Sequence, residues 1–352
     1  VKESLSERYM ARCLDLAVAG LGSTAPNPMV GSVIVHGDRI IGEGWHRKYG
    51  GPHAEVNAVQ SVADKSLLHE STMYVNLEPC SHTGKTPPCA DMIISCGIPH
   101  VVIGTADPNP VVAGTGIEKL RQAGITVEFP VIPEACREVN RRFFTFHIRK
   151  RPWVILKWAQ TRDGFIDVVR NNNSPVAPNW ISNDISRMIV HRWRAEEQGI
   201  LVGTHTAQLD NPRLNVREWP GYSPVRMVID RQRKLPSTLH LFDNTSDTFV
   251  FCASEELTVN RTRYVQLDFE KDIIPQMLAR IASEGIQSII VEGGRKLLTG
   301  FIESGLWDEA RIFTGAKEFG SGILAPEIQA VKSSELHIRE DLLTIYRNQI
   351  TP

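Results

Sequence analysis

The chain has 352 residues, 42% of them hydrophobic and 22% charged, the make-up of an ordinary globular protein with length enough for two domains, each burying its own core. A net charge of −1 supplies no chain-wide field for nucleic acid, and no apolar run reaches the length of a membrane helix; the expected partner is a small molecule, with neither nucleic acid nor membrane. The start, VKESLSERYM, has no apolar signal stretch, so a cytoplasmic address is expected, with the six cysteines as reduced thiols. In chain order, SERYMARCLDLAVAG carries apolar residues at helical spacing and stops on Gly20 and Gly22. SVIVHGDRIIGEGW reads as two strands joined by a turn at Gly37-Asp38. There follow HAEVNAVQSVA (helix), TMYVNLE (strand), CADMIISCG (helix), HVVIGTA (strand), GIEKLRQAG (helix) and TVEFPV (strand), an alternation that predicts α/β architecture with parallel strands. PEACREVNRRFFTFHIRKRP is expected as one helix running into a basic connector, which puts a domain boundary near Lys150 and domains at 1–150 and 151–352.

The loop PCSHTGKTPPC holds two of the six cysteines at its ends. Cys80 follows a predicted strand, Cys89 opens a predicted helix, and His53 opens another in PHAEV. Strand-end and helix-start positions favour thiolate over thiol, and one imidazole with two thiolates suits zinc. Three protein ligands leave a fourth position for water, which marks a catalytic site. Glu55, two residues past His53, is placed to face that water and carry its proton. H-x-E followed by P-C is the pattern of zinc nucleobase deaminases, but Cys89 stands far beyond the usual C-x-x-C spacing. Buried core cysteines or a structural zinc are the plain alternatives. The loop adds a histidine and Lys85 on a proline-stiffened scaffold beside the metal, chemistry that suits a substrate phosphate; an ordinary solvated lysine is the other reading.

PNPMVG, EGWH, PHAEV, EPCSHTGKTPPC and ADPNP, in that order, closely resemble the deaminase half of the bifunctional riboflavin-biosynthesis deaminase-reductases. The resemblance covers most of residues 7 to 150 and includes the long intercysteine spacing. It implies a cytidine-deaminase-like three-layer domain that hydrolytically removes an amino group from a ribosylamino-pyrimidinone 5′-phosphate. By position, His53, Cys80 and Cys89 would bind Zn2+ and Glu55 would be general acid and base. Asn27, His46, His82, Lys85, Asp107 and Asn109 would line the substrate site, though each could equally be a turn or capping residue.

Beyond residue 150, WVILKWAQ opens a second run: SNDISRMIVHRWRAEEQ (helix), ILVGTH, VRMVID and TFVFCA (strands), IIPQMLARIASEG (helix), SIIVEGG (strand), RKLLTGFIESG (helix) and IREDLLTIYRNQI (terminal strand). No complete G-x-G-x-x-G follows a strand; Gly114-Thr115-Gly116 is read as a helix start. ILVGTHTAQLDNPRLNVR, VRMVIDRQRKLP and IIVEGGRKLL each set glycine, aspartate or arginine just after an apolar strand, where ligands collect in open α/β sheets. Singly, each reads as a tight turn. With LKWAQTRDG and NWIS they resemble, over roughly 152 to 320, the reductase half of the same family, which implies a dihydrofolate-reductase-like domain using NADPH. The implied reaction is hydride transfer to the sugar's first carbon, turning ribosylamino into ribitylamino. Lys157, Arg194, Leu214, Arg217 and Glu292 would contact substrate, with Asp210 as acid or orienting group. Gly203, Thr206, Asp230, Gly293 and Gly294 would lie along NADPH; Arg231 and Arg233 are weighed as partners for its 2′-phosphate against a solvated loop. NNNSPVAPNWIS departs from the family in length and in Pro178, and Gln160 and Thr161 replace the usual residues. A homo-oligomer, dimer or tetramer, follows from the resemblance.

Two other readings stay open at this level. A nucleic-acid editing deaminase with an accessory domain would need a basic groove and stacking aromatics, which a near-neutral chain with 7% aromatic residues does not advertise. A structural zinc joined to a ligand-sensing module would need a fourth clear metal ligand.

Overall fold

The computed structural model describes residues 4–82, 87–110, 113–171 and 174–349. The chain divides into two compact units, Val1–Lys150 and Arg151–Pro352.

In the first unit the elements are α1 (Leu5–Val18), β1 (Gly31–His36), β2 (Arg39–Trp45), α2 (Ala54–Ser61), β3 (Ser71–Leu77), α3 (Cys89–Ser95), β4 (His100–Thr105), α4 (Thr115–Gln122), β5 (Thr126–Glu128), α5 (Pro133–Val139) and α6 (Arg141–Arg149). The sheet runs β2-β1-β3-β4-β5; β1 is antiparallel to both neighbours, and β3, β4 and β5 are mutually parallel. The strands read as nearly unbroken apolar runs because both faces are covered. Ile34, Met73, Val75, Val101 and Ile103 point to the side packed by Ala58, Ile93 and Leu120 of α2, α3 and α4. Their immediate neighbours Val33, Val35, Tyr74 and Val102 point the other way, onto Met10, Cys13 and Cys136 of α1 and α5. The period of two thus yields three layers, α/β/α. Helix α1 lies so close on β1 that a Cβ at Gly31 would stand 2.0 Å from the Cys13 carbonyl oxygen.

The single helix expected over 133–149 is two, broken at Asn140, whose φ and ψ of −99° and 20° leave the helical region. The break has a cause. Buried Asn140 accepts from Met29 N–H at 2.8 Å and donates to Met29 C=O at 2.9 Å, while Asn76 accepts from Gly31 N–H at 2.8 Å. Two buried amides so fix the backbone of the PNPMVG stretch.

The second unit contains β6 (Trp153–Gln160), β7 (Phe165–Asp167), α7 (Asp184–Glu196), β8 (Gly199–Val202), α8 (Thr204–Asp210), β9 (Val225–Ile229), β10 (Thr248–Cys252), β11 (Leu257–Val259), β12 (Thr262–Gln266), α9 (Ile273–Ser283), β13 (Ser288–Val291), α10 (Arg295–Ser304), β14 (Glu309–Thr314), β15 (Ile323–Leu324), β16 (Val331–Ile338) and β17 (Asp341–Arg347). Ten strands form one sheet in the order β11-β12-β10-β9-β8-β13-β6-β14-β17-β16, parallel from β12 through β14 and antiparallel at both edges. Helices again cover both faces: Val154, Leu156, Leu201 and Val291 meet α9 and α10, whereas Trp153, Ile155, Ile290 and Phe313 meet Val190 and Trp193 of α7. Phe251, Phe301 and Phe313 are fully buried and contribute roughly 1.5–3 kcal/mol each. Among the described residues no helix is long and apolar enough to cross a membrane.

Candidate active sites

In the first unit β3 ends at Leu77 and the chain turns through Glu78-Pro79 into Cys80. Glu78 is buried, and its carboxylate accepts from the N–H groups of Asp107, Gly114, Gly116 and Ile117 at 2.9–3.2 Å. It thus satisfies open N–H groups at the start of α4 and pins the Pro79-Cys80 turn to them. Cys89 opens α3 and is buried; His53 caps α2. His53 Nδ1, Cys80 Sγ and Cys89 Sγ lie within 4.8 Å of one another, with Nδ1 at 3.6 Å from the first sulfur and 3.3 Å from the second. Hydrogen bonding from the Cys89 side chain, helped by His53 and the Cys89 N–H, pulls the Cys80 thiol well down, and the same pairing pushes the Cys89 thiol up. The cluster therefore holds a sulfur ready as thiolate, and the donor set fits zinc. Glu55 is 3% exposed in the first turn of α2; burial pushes its carboxyl up, and it interacts with the Cys89 thiol.

Asn27 and His46 meet beside this cluster. His46 Nδ1 faces the Pro52 carbonyl at 3.0 Å, which can only accept, so Nδ1 carries the proton and Nε2 accepts from Asn27 Nδ2 at 3.2 Å. Burial lowers the His46 pKa, which keeps the ring neutral. The His46 and His53 rings stand edge to face, 5.4 Å between centroids. Asp107 is buried and accepts from Asn109 N–H at 2.8 Å; burial pushes its carboxyl up to about 6. His82 is exposed, and Lys85 lies outside the described residues.

In the second unit a cavity of about 1090 Å³ opens where β6, β8, β9 and β13 end. Ligands collect at such strand ends. Lys157, Arg194, Gly203, Thr206, Asp210, Leu214, Arg217, Glu292, Gly293 and Gly294 all line it, as does Arg231. Arg194 grips Glu292 with two hydrogen bonds, 3.0 and 2.7 Å, the side chains 11% and 10% exposed. Burial by itself raises Glu292, but Arg194 and Lys157 hold it down to about 2. Burial lowers the Lys157 ammonium against the pull of Glu292. Arg217 donates to Asn215 Oδ1 at 3.2 Å and is the more exposed arginine, 41%. Gly203 caps α8 and donates its N–H to Gly293 C=O at 2.8 Å, which ties the two glycine turns together; Gly293, at φ 102°, occupies backbone space open to glycine. Leu214 is 1% exposed at φ 51° and anchors its segment into the core beneath.

Asp230 does not line the cavity. Its buried carboxylate accepts from Lys234 N–H at 3.0 Å and Leu235 N–H at 2.9 Å, closing its own loop. Arg233 lies over the Tyr264 ring and bonds the Glu255 carbonyl, and Arg231 pairs with Glu270 at the exposed rim. Among the lining groups that the sequence reading did not assign are His191, Trp180 and Asp167. His191 sits one helical turn before Arg194 on α7; burial and the arginines beside it hold its pKa down to about 4, so it is a neutral ring. The i, i+3 spacing to Arg194 is the signal that would have found it.

Residues 152–349 match the family described as the RibD C-terminal domain, and residues 3–105 match the cytidine and deoxycytidylate deaminase zinc-binding region. Riboflavin biosynthesis protein RibD of Aquifex aeolicus is 36% identical, with 97% of this chain and 98% of that protein covered. Its counterpart in Bacillus amyloliquefaciens is 37% identical over 92% of this chain and 88% of that one. The crystal structure of the diaminohydroxyphosphoribosylaminopyrimidine deaminase/5-amino-6-(5-phosphoribosylamino)uracil reductase of Thermotoga maritima superposes with a TM-score of 0.87 at 36% identity, covering 97% of this chain and 98% of that chain.

Proposed function

The chain belongs to the RibD family of bifunctional riboflavin-biosynthesis enzymes, and from that premise we propose which of its residues carry each reaction. It is a hydrolase and an oxidoreductase that uses Zn2+ and NADPH: it deaminates 2,5-diamino-6-ribosylamino-4(3H)-pyrimidinone 5′-phosphate and reduces the ribosyl to a ribityl side chain. Deamination is assigned to residues 1–150 and reduction to residues 151–352.

His53, Cys80 and Cys89 hold the metal, which when bound supplies the Lewis acidity that makes water a nucleophile near neutral pH. Glu55, out of bulk water with its carboxyl raised by burial, takes the proton from the nucleophile and delivers it to the departing amine. Asn27 and neutral His46 orient the pyrimidine ring, and Asp107 with Asn109 shapes the far wall. The substrate phosphate is assigned to His82 and, by sequence position alone, to Lys85.

When bound, NADPH would supply hydride to the sugar's first carbon, whose bond to the ring oxygen breaks as that oxygen takes up a proton. Its pyrophosphate is taken by the glycine turns at Gly203 and Gly293-Gly294, with Thr206 beside them. Arg194 is committed to Glu292 at 2.7 Å, whereas Arg217 has a longer ion pair with Glu218, 3.7 Å, and is assigned to the substrate phosphate. Glu292 and Lys157 bind polar groups of the substrate, Leu214 shapes the floor, and the Asp210 carboxylate orients a sugar hydroxyl. A second copy, giving a dimer or tetramer, belongs to this reading on family membership alone.

The observation that carries the reading is the three-ligand cluster with a buried carboxylate against it. Its test uses the purified protein with zinc, NADPH and the diaminopyrimidinone ribotide, following ammonia release and NADPH oxidation separately. Glu55→Gln is expected to keep stoichiometric zinc, to lose ammonia release by about 10²–10⁴-fold, and to keep reducing pre-deaminated substrate. Asp210→Asn is expected to do the reverse. Loss of both activities in either variant contradicts separate sites.

A further inference from the structure

Asp210 ends α8, and its surroundings depend on a residue outside the cavity wall. Arg170 follows β7 at the start of the segment that departs from the family pattern, and its side chain is only 6% exposed. Its two terminal nitrogens are hydrogen-bonded, and Nε makes an ion-pair contact. Nη2 donates to Asp210 Oδ1 at 2.8 Å, and Nη1 donates to the carbonyls of Leu209 at 3.0 Å and Ala177 at 2.9 Å. Nε forms an ion pair with Asp167 Oδ2 at 2.9 Å, and Asp167 in turn accepts from Asn179 at 2.6 Å. One side chain therefore joins β7, the end of α8 and the far side of the loop. Asp210, Asp167 and Asn179 line the cavity, whereas Arg170 does not.

Two carboxylates sharing one site would repel and drift apart or take up protons without a cation between them. An arginine supplies that cation with a planar fork that fixes direction as well as charge, and lysine cannot reproduce both. We propose that Arg170 is a positioning residue for the reduction step: it holds the Asp210 carboxylate at the cavity wall and fastens the loop through Ala177 and Asn179 across it. Burial pushes the Asp210 carboxyl up while Arg170 opposes the rise, which agrees with this role. The inference rests on the assignment of Asp210 made above.

The experiment uses the full-length, zinc-loaded enzyme, with reduction of pre-deaminated substrate as the readout and ammonia release as the control for folding. Arg170→Ala is expected to lower kcat for reduction about 10- to 100-fold, to leave the KM for NADPH within about twofold, and to leave ammonia release unchanged. Guanidinium ion at tens of millimolar is expected to restore part of the lost rate, and Arg170→Lys to fall between the two. On an Asp210→Asn background Arg170→Ala is expected to add little, because both act on one unit. Unchanged reduction in Arg170→Ala overturns the proposal, as does a loss that guanidinium does not rescue. A full additional loss in the double variant overturns Arg170 while sparing Asp210. If Asp210→Asn alone reduces at the normal rate, the Asp210 assignment falls and Arg170 with it.

Discussion

Glu292 shows what a buried charge demands of its neighbours. Removed from water, a carboxylate is costly, and the cost is offset here by a bidentate arginine and a nearby ammonium. Its folded pKa is depressed, so the stabilisation is present above the unfolded value near 4.3 and is lost as pH falls towards about 2. That depression corresponds to roughly 3 kcal/mol in all, with more than half gone by about pH 3. The difference in unfolding free energy between the native protein and Glu292→Gln, measured by urea titration, is expected to hold from pH 6 to about pH 5 and then to narrow down to about pH 3. A gap that stays constant over that range would show that the carboxylate gains nothing from Arg194 and Lys157. His191, neutral beside them, adds no positive charge until pH nears 4, so it does not distort the comparison above that point.

At the level of elements, the metal cluster depends on how closely α4 approaches the Pro79 turn. A Cβ at Gly116 would stand 2.0 Å from the Pro79 carbonyl oxygen, and backbone on both sides leaves little room to yield. Gly116→Ala is therefore expected to displace the Glu78-Pro79-Cys80 turn and to lower zinc content and ammonia release together, while reduction of pre-deaminated substrate continues. Full zinc occupancy measured by metal analysis in that variant would refute the dependence. The sequence made this part legible only by half. The β1–β2 hairpin, the alternation after it and the ligands His53, Cys80 and Cys89 could be read because turn residues, apolar period and ligand chemistry are local signals. Glu78 could not, since its partners lie 29 to 39 residues away and nothing local marks it as a cap. Helix α8 went unread, and only its first two residues, Thr204 and His205, were joined to the strand before it, because polar and β-branched residues open it and its cap is the backbone of Gly203. Strand β14 was missed because Glu309 and Arg311 interrupt its apolar pattern; both are buried, and they pair with each other. Strand β16 is exposed at every residue but Ile338 and exists through pairing with β17, so it has no apolar period to read. Asp230, expected along NADPH from the family resemblance, has its carboxylate turned onto its own loop, a contact of four and five residues' separation that the resemblance does not reveal.

For the whole molecule, each set of functional side chains comes from one compact unit. The metal cluster and its neighbours fall within residues 27–109, and the cavity is lined by residues 157–323. Each sheet is also complete within its unit, with its own helices on both faces and its own core. Chemistry at one site therefore has no structural need of an intact partner site on the same chain. This leads to a complementation experiment. Glu55→Gln protein, unable to deaminate, and Asp210→Asn protein, unable to reduce, are each expected to stall when given the diaminopyrimidinone ribotide and NADPH. Mixed in equal amounts, they are expected to complete both reactions: the second protein releases deaminated ribotide, and the first reduces it. NADPH oxidation should begin after a lag, as the intermediate builds up in solution, and should then approach the rate of the slower half-reaction. The lag should shorten as total protein is raised, since transfer between molecules is bimolecular. A mixture that accumulates deaminated ribotide without oxidising NADPH, although the Glu55→Gln protein reduces the same compound when it is supplied directly, would mean that the intermediate does not leave the chain that makes it.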